Sequence, residues 1–283
     1  RLELPAAAVT GHIDTLREHG FEIERGPCGF ELQSVPEYGY GVQAGLDAPF
    51  VIDYKPEVSS TNERARKLAE SAETDVAVLA ETQTAGRGRF DRVWTSPPGG
   101  IYCSVLVRPT LPPAEAGVLN LAAAVAAADA AAEVGVEAGC KWPNDLLGPD
   151  GDKLGGILAE SATRDGTVDW VVLGLGLNAN LDPAELPPES TSLSALAGSP
   201  IDRRVVTQTY LETFERWRRD QGGIVSAWRR RSTTLGQEVW VRTGDEEFVA
   251  EATDVDDAGR LLVETAAGRR RIGAGECEHL RPV

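Results

Sequence analysis

The sequence predicts an α+β protein in three segments, and three patterns carry that prediction. Helical spacing over residues 6–19 is followed by a hairpin pattern. From Phe50 onward, apolar runs of strand length alternate with helical stretches. After about Thr233 only short strand-like runs and turn clusters remain. A length of 283 residues is too great for one small core and fits such a division.

In the first segment Val9, Ile13 and Leu16 share a helix face, and Gly20 marks its stop. Residues 21–32 alternate apolar and polar around Gly26-Pro27-Cys28-Gly29, as a hairpin does. Phe50-Val51-Ile52 opens the middle segment as a strand. Ser60-Thr61-Asn62-Glu63 reads as a capping box, opening a helix with Ala65, Leu68, Ala69 and Ala72 on one face. Strands are predicted at 76–80, 101–107, 154–159 and 168–177, and long helices near 115–134 and 203–219. In the last of these, Val206, Tyr210, Phe214 and Trp217 recur at helical spacing and belong in a core. Strands at 238–241, 246–255, 261–265 and 269–272 are separated by turn clusters at Thr243-Gly244-Asp245, Asp256-Asp257-Ala258-Gly259 and Ala267-Gly268. They predict a small all-β barrel.

Hydrophobic content of 42% suffices for a globular core, and no run approaches the roughly 18 to 20 apolar residues that cross a bilayer. The alanine-rich stretch 119–136 is interrupted by Asp129 and Glu133 and reads as a helix of a soluble fold. With no secretory signal pattern, the expectation is a cytoplasmic protein with no membrane partner. The net charge is −16, and four lysines stand against 24 arginines. Such a surface suits a salt-loving microbe, where screening at 1 M acts over about 3 Å, and arginine-rich codon usage gives the same ratio. The absence of methionine, even at position 1, implies residues upstream of Arg1. Cys28, Cys103, Cys140 and Cys277 show neither zinc spacing nor a disulfide framework. The histidines, at 12, 19 and 279, lie near the ends, which argues against a histidine triad or metal site.

The chemistry concentrates in four islands. Gly86-Arg87-Gly88-Arg89-Phe90-Asp91-Arg92-Val93-Trp94 sets three arginines among glycines in an acidic protein. Arginine forks match phosphate or carboxylate oxygens, and glycine admits a close backbone. Upstream lies Ser59-Ser60-Thr61-Asn62; downstream lie Lys141-Trp142-Pro143-Asn144-Asp145 and Lys153-Leu154-Gly155-Gly156-Ile157. Two of the four lysines fall inside these islands.

In this order and spacing the four motifs resemble biotin protein ligase, a family some of whose members are biotin operon repressors. The similarity runs from about Phe50 to Leu177. It implies a catalytic domain over 45–232 with a mixed sheet like that of class II aminoacyl-tRNA synthetases. It also implies a partial winged helix-turn-helix over 1–37 and an SH3-like β-barrel over 233–283. The implied reaction is ATP-dependent: biotin and ATP form biotinyl-5′-AMP, with Mg²⁺, and a lysine of a biotin carboxyl carrier protein or domain then takes the biotin. By the same resemblance Ser60, Thr61 and Gln83 would hold the ureido ring. Gly86, Arg87 and Arg89 would lie over carboxylate and phosphate, and Lys153 would donate to the acyl-phosphate oxygens beside Gly156. Arg92, Trp94 and Asn144 would face the nucleotide, and Asp145 would orient it or hold Mg²⁺. Asn178 would read the adenine edge or serve as a strand-end turn residue. Arg87, Lys141, Asp145 and Lys153 form the catalytic set. A homodimer is compatible with the resemblance.

Two features depart from it. Asp91 stands where the family has glycine, and aspartate tolerates left-handed backbone. The first helix carries Asp14 and Glu18 against Arg17, with Ala6 and Gly11 where related sequences place basic residues. Weak or absent DNA binding is therefore expected. Arg269-Arg270-Arg271 reads as a solvated edge or a steering patch for an acidic carrier. Gly174-Leu175-Gly176-Leu177-Asn178-Ala179 matches a dinucleotide fingerprint, but prolines rather than a helix follow it, which excludes a nicotinamide dehydrogenase. No phosphate loop of the G-x-x-x-x-G-K type and no nucleophile elbow is present. The related lipoate ligases are not expected to carry this pairing of arginine loop and lysine–tryptophan island.

Overall fold

Apolar spacing and one left-handed glycine shape the start of the chain in the computed structural model, which describes residues 5–244, 246–273 and 276–279. Helix α1 (Ala6–Glu18) closes just before Gly20, whose φ of +89° turns the chain into the hairpin β1 (Glu22–Gly26) and β2 (Gly29–Ser34). The hairpin thus stands where the alternation placed it. Arg17 donates to the Ile23 carbonyl and meets Asp14 at 3.4 Å, so the helix's one arginine is turned onto its own hairpin.

The middle of the chain builds a seven-stranded mixed sheet. Its strands are β3 (Val51–Val58), β4 (Val76–Gln83), β5 (Ile101–Val107), β6 (Gly139–Lys141), β7 (Asp145–Leu147), β8 (Lys153–Arg164) and β9 (Thr167–Leu177). Their order is β3-β4-β5-β9-β8-β7-β6, with β3 and β4 parallel and every other pair antiparallel. Two-residue alternation divides the side chains between two faces. Val76, Val78, Leu106 and Val172 pack with Ala65 and Ala69 of helix α2 (Thr61–Leu68 and its cap). Ala77, Leu79, Val105 and Leu173 point into the main core, with α3 (Gly117–Glu133) and, after the short α4 (Leu193–Ala197), α5 (Arg203–Arg219) and α6 (Ile224–Arg231). Val206, Tyr210 and Phe214 of α5 are fully buried there. With its leading turn, α3 is the one described helix long and apolar enough to cross a bilayer, and most of it is buried in this core.

The last five strands, β10 (Glu238–Thr243), β11 (Glu246–Val255), β12 (Leu261–Thr265), β13 (Gly268–Ile272) and β14 (Glu276–His279), form an antiparallel sheet ordered β13-β12-β11-β10-β14. The predicted turn residue Asp245 and the outermost segments, 1–4 and 280–283, lie outside the described residues, as does the Ala6 side chain. Strands β6, β7 and β14 escape the periodicity because three or four residues show no alternation. The capping box needs correction. Ser60 makes no side-chain cap bond; the Thr61 N–H is taken by Gln83 Oε1 at 2.8 Å, and Glu63 instead accepts from Ser59 and Lys67.

One buried cation ties the parts together. Arg203, at the start of α5, donates to Glu37 through Nε and Nη2 and to Glu81 Oε1 and the Gly100 carbonyl through Nη1, and it lies over the Tyr38 ring. Burial opposes its charge, but the bonds to Glu37 and Glu81 outweigh that and hold its pKa above the usual value. Glu81 also accepts from the Gly99 N–H, so this cluster fixes both ends of the arginine loop's support. Arg203→Ala removes the cation that two carboxylates and a carbonyl share, leaving each carboxylate only a backbone N–H, and should cost about 3 kcal/mol of stability. Urea denaturation checks this; a loss below about 0.5 kcal/mol, the level of an ordinary surface change, contradicts it.

Candidate active site

Glycines in neighbouring strands form the floor of a trough rimmed by side chains of other elements, which seat on the face that α2 covers only in part. Gly174 and Gly176 of β9 alternate with Leu173 and Leu175 and so lie on the α2 side with Val172, and Gly156 of β8 pairs with Gly176. A Cβ at Gly174 would meet Asn62 Oδ1 at 2.0 Å, and one at Gly176 would meet Trp94 Nε1 at 2.5 Å. These two positions are glycine because other side chains occupy the volume.

One end of the trough is neutral and polar. Gln83, at the end of β4, accepts from the Thr61 N–H at 2.8 Å and lies 3.1 Å from Thr61 Oγ1, while its Nε2 donates to Ser96 Oγ at 2.8 Å. Ser104 Oγ of β5 sits 2.7 Å from Thr61 Oγ1 and 2.6 Å from Asn62 Oδ1. Asn62 Nδ2 donates to the Leu158 carbonyl and to Glu160. Ser60 is buried beside them at the helix start.

The other end is charged. Lys153 Nζ forms a 2.6 Å ion pair with Asp145 Oδ1, and the Lys153 ammonium is 5.6 Å from the Trp94 ring centroid. Arg89 Nη1 reaches Asn144 Oδ1 at 3.4 Å. Burial lowers the Arg89 pKa; Asp145 opposes the shift and Arg92 adds to it. A Cβ at Gly156 would meet Asp145 Oδ1 at 3.4 Å, an ordinary contact, so this glycine lies directly beside the ion pair. The arginine loop folds as a small hairpin, with Trp94 N–H on the Gly86 carbonyl and Gly88 N–H on the Arg92 carbonyl. Phe90 and Asp91 turn it with φ of 54° and 56°, so the aspartate does occupy left-handed backbone.

Not every predicted residue converges. Arg87 and Arg92 are exposed on the loop arms. Lys141 lies opposite Asp145 in the β6–β7 register, but among the described residues it makes no ion pair with it. Asn178 is buried and commits its amide N–H to the Thr191 carbonyl. Ser96 and Ser104 lie outside the four islands, and Asn62 lies in one without an assigned role; a serine inside the apolar run 101–107 is the visible signal for Ser104. Trp142, in the lysine–tryptophan island, faces away from the trough. It is 2% exposed, its N–H bonds Thr234 Oγ1, and its indole N–H bonds the Gly259 carbonyl, while Asn120 donates to the Pro143 carbonyl. The turn that presents Asn144 and Asp145 is therefore pinned from behind by α3 and the C-terminal sheet. Among the described residues no three metal-ligating side chains cluster.

The family model for the biotin/lipoate A/B protein ligase family matches residues 54–178, and that for the biotin protein ligase C terminal domain matches 234–280. The chain is 36% identical to the bifunctional ligase/repressor BirA of Bacillus subtilis, across 96% of this chain and 89% of that protein. The chain belongs to the biotin protein ligase family. It is also 38% identical to the biotin–[acetyl-CoA-carboxylase] ligase of Mycobacterium tuberculosis, over 81% of this chain and 89% of the relative. Among solved structures it resembles the biotin protein ligase from Aquifex aeolicus in complex with biotin and ATP. The TM-score is 0.63 at 28% identity, over 82% of this chain and 99% of that one.

Among the described residues Trp94 Nε1 is buried without a hydrogen-bond partner, so packing and the Lys153 ammonium hold the indole over Gly176. Gly176→Ala should force the ring off the floor. Acrylamide quenching of tryptophan emission should rise, and the rise should vanish in a Trp94→Phe background. Equal quenching in Gly176→Ala and the parent contradicts the placement.

Proposed function

We propose that this chain is an ATP-dependent biotin protein ligase acting on a carboxylase carrier domain. The observation that carries this reading is the two-ended trough. Thr61 and Gln83 offer hydroxyl and amide groups at one end, and Arg89, Asn144, Asp145 and Lys153 gather charge at the other. Biotin has the matching form, with a polar ureido ring at one end and a carboxylate at the other.

The carboxylate is a poor acylating group until activated. In the first step a carboxylate oxygen attacks the α-phosphorus of ATP, and the bond to the bridging oxygen breaks, giving biotinyl-5′-AMP and pyrophosphate. Two anions must approach, and Arg89 and Lys153, with the exposed Arg87 and Arg92 on the loop, supply the opposing charge. In the second step the ε-amine of the carrier lysine attacks the acyl carbon, AMP leaves, and the amine loses a proton. Lys153 lies where a donor to the acyl-phosphate oxygens is needed; its pair with Asp145 holds it on the floor. Gly156 lets a ligand approach that pair. Ser60 completes the ring end, and Gly86 lies with Arg87 over the carboxylate and phosphate. Trp94 and Lys141 flank the nucleotide side, and Asn178 sits on it at the strand end, bonded to the Thr191 carbonyl.

Mg²⁺ fits this donor set as an ion carried by the nucleotide phosphates, which needs one protein carboxylate, here Asp145, and it would offset phosphate charge. The parts around the trough read as a partial winged helix over 1–37, a synthetase-like catalytic domain over 45–232 and an SH3-like barrel over 233–283. Likeness to the ligase/repressor of Bacillus subtilis supports a further regulatory role. Against strong DNA binding stands Arg17, committed to the Ile23 carbonyl and Asp14.

ATP-dependent incorporation of biotin into a carrier domain tests the function. Lys153→Ala should slow pyrophosphate release about a hundredfold while the protein stays folded, the usual loss for a donor to developing oxyanion charge. Near-parental release by a folded variant refutes the role given to Lys153.

A further inference from the structure

The hydroxyl cluster at the neutral end holds one proton fewer than it has contacts. Asn62 Nδ2 lies 3.1 Å from the Leu158 carbonyl and 2.7 Å from Glu160 Oε2, both acceptors, so its Oδ1 must face Ser104. Gln83 Oε1 receives the Thr61 backbone N–H, so its Nε2 must face Ser96, whose own proton goes to the Trp94 carbonyl. Both amides are thereby oriented without freedom to flip.

Between the two amide oxygens stand only the hydroxyls of Ser104 and Thr61. They make three oxygen–oxygen contacts, at 2.6 Å to Asn62, 2.7 Å to each other and 3.1 Å to Gln83, with two protons to share. The 2.6 Å contact is the shortest, and Asn62 is 5% exposed, so an unbridged pair of lone pairs there is the costliest choice. The Ser104 proton therefore belongs to Asn62. Thr61 gives its proton to Gln83 or Ser104 and receives none back, which leaves Thr61 Oγ1 as an open acceptor.

We infer that Asn62 and Ser104 are specificity-determining positioning residues: they hold Thr61 as an acceptor and select a ring that presents an N–H to it. This rests on the biotin reading and deepens it, because the ureido ring carries two such N–H groups. A ring oxygen at the same place would set lone pair against lone pair.

The test measures binding of biotin and of the two cyclic carbamates in which one ureido N–H is replaced by ring oxygen, by calorimetry on the full chain without ATP. The parent should reject one carbamate by about a hundredfold or more, as sites built to bond a buried N–H do. Asn62→Ala frees the Ser104 proton for Thr61 and should cut that ratio to about tenfold or less. Asn62→Ala with Ser104→Ala removes the stray donor, and the ratio should return towards the parental value. Thr61→Val, which keeps the shape and removes the acceptor, should also collapse the ratio. Asn62→Ala weakening both ligands by the same factor, or a parental ratio in Thr61→Val, overturns the inference while leaving the biotin reading intact. A parent that binds no biotin overturns that reading and the inference with it.

Discussion

The site depends on a steric constraint: two positions of β9 carry no side chain. Asn62 fills the volume that a Cβ on Gly174 would take, and Trp94 fills the volume above Gly176. Everything polar at the neutral end follows from the first of these. With Asn62 seated against the sheet, its amide bridges α2 to β8, and Ser104, Thr61 and Gln83 line up behind it. The charged end follows from the second, because the indole over Gly176 lies beside Lys153. A methyl group at either glycine would dislodge the element that faces it.

Electrostatics complements that geometry. In a chain of charge −16, the trough gathers Arg89 and Lys153 around a single carboxylate, Asp145. The ion pair neutralises the lysine at rest, and Arg89 is partly desolvated, so neither cation is fully spent on water. The mounting is rigid where chemistry demands it. Trp142 and Asn120 fasten the turn that carries Asn144 and Asp145, and the Arg203 cluster fastens the strand that carries Gln83. The tip of the arginine loop stands out from the fold, with Phe90 and Val93 61% and 82% exposed and Arg89 reaching back to Asn144.

Much of this was legible in the residues. The strands at 101–107, 246–255 and 261–265 and the helix at 203–219 fall where alternation and helical spacing put them, since each is long enough to show its period. Asp91 in left-handed backbone was readable because the resemblance expects glycine there and aspartate tolerates that conformation. The three-residue strands β6 and β7 were not readable, because their pairing is set by the turn between them and by contacts with Thr234 and Gly259 more than ninety positions away. The same distance problem hid Ser104, whose partners Thr61 and Asn62 come from a helix start some forty residues earlier. Ser60 misled in the opposite way: a local capping rule fitted it, but the helix-start donor went to Gln83.

On the proposed reading, one trough joins a biotin carboxylate to the α-phosphate of ATP before any carrier is engaged. Isotope exchange between pyrophosphate and ATP, without carrier protein, measures that step alone. The proposed ligase reading predicts exchange that depends on biotin and stops when biotin is withheld. Exchange that proceeds without biotin, or none at saturating biotin, ATP and Mg²⁺, would contradict it.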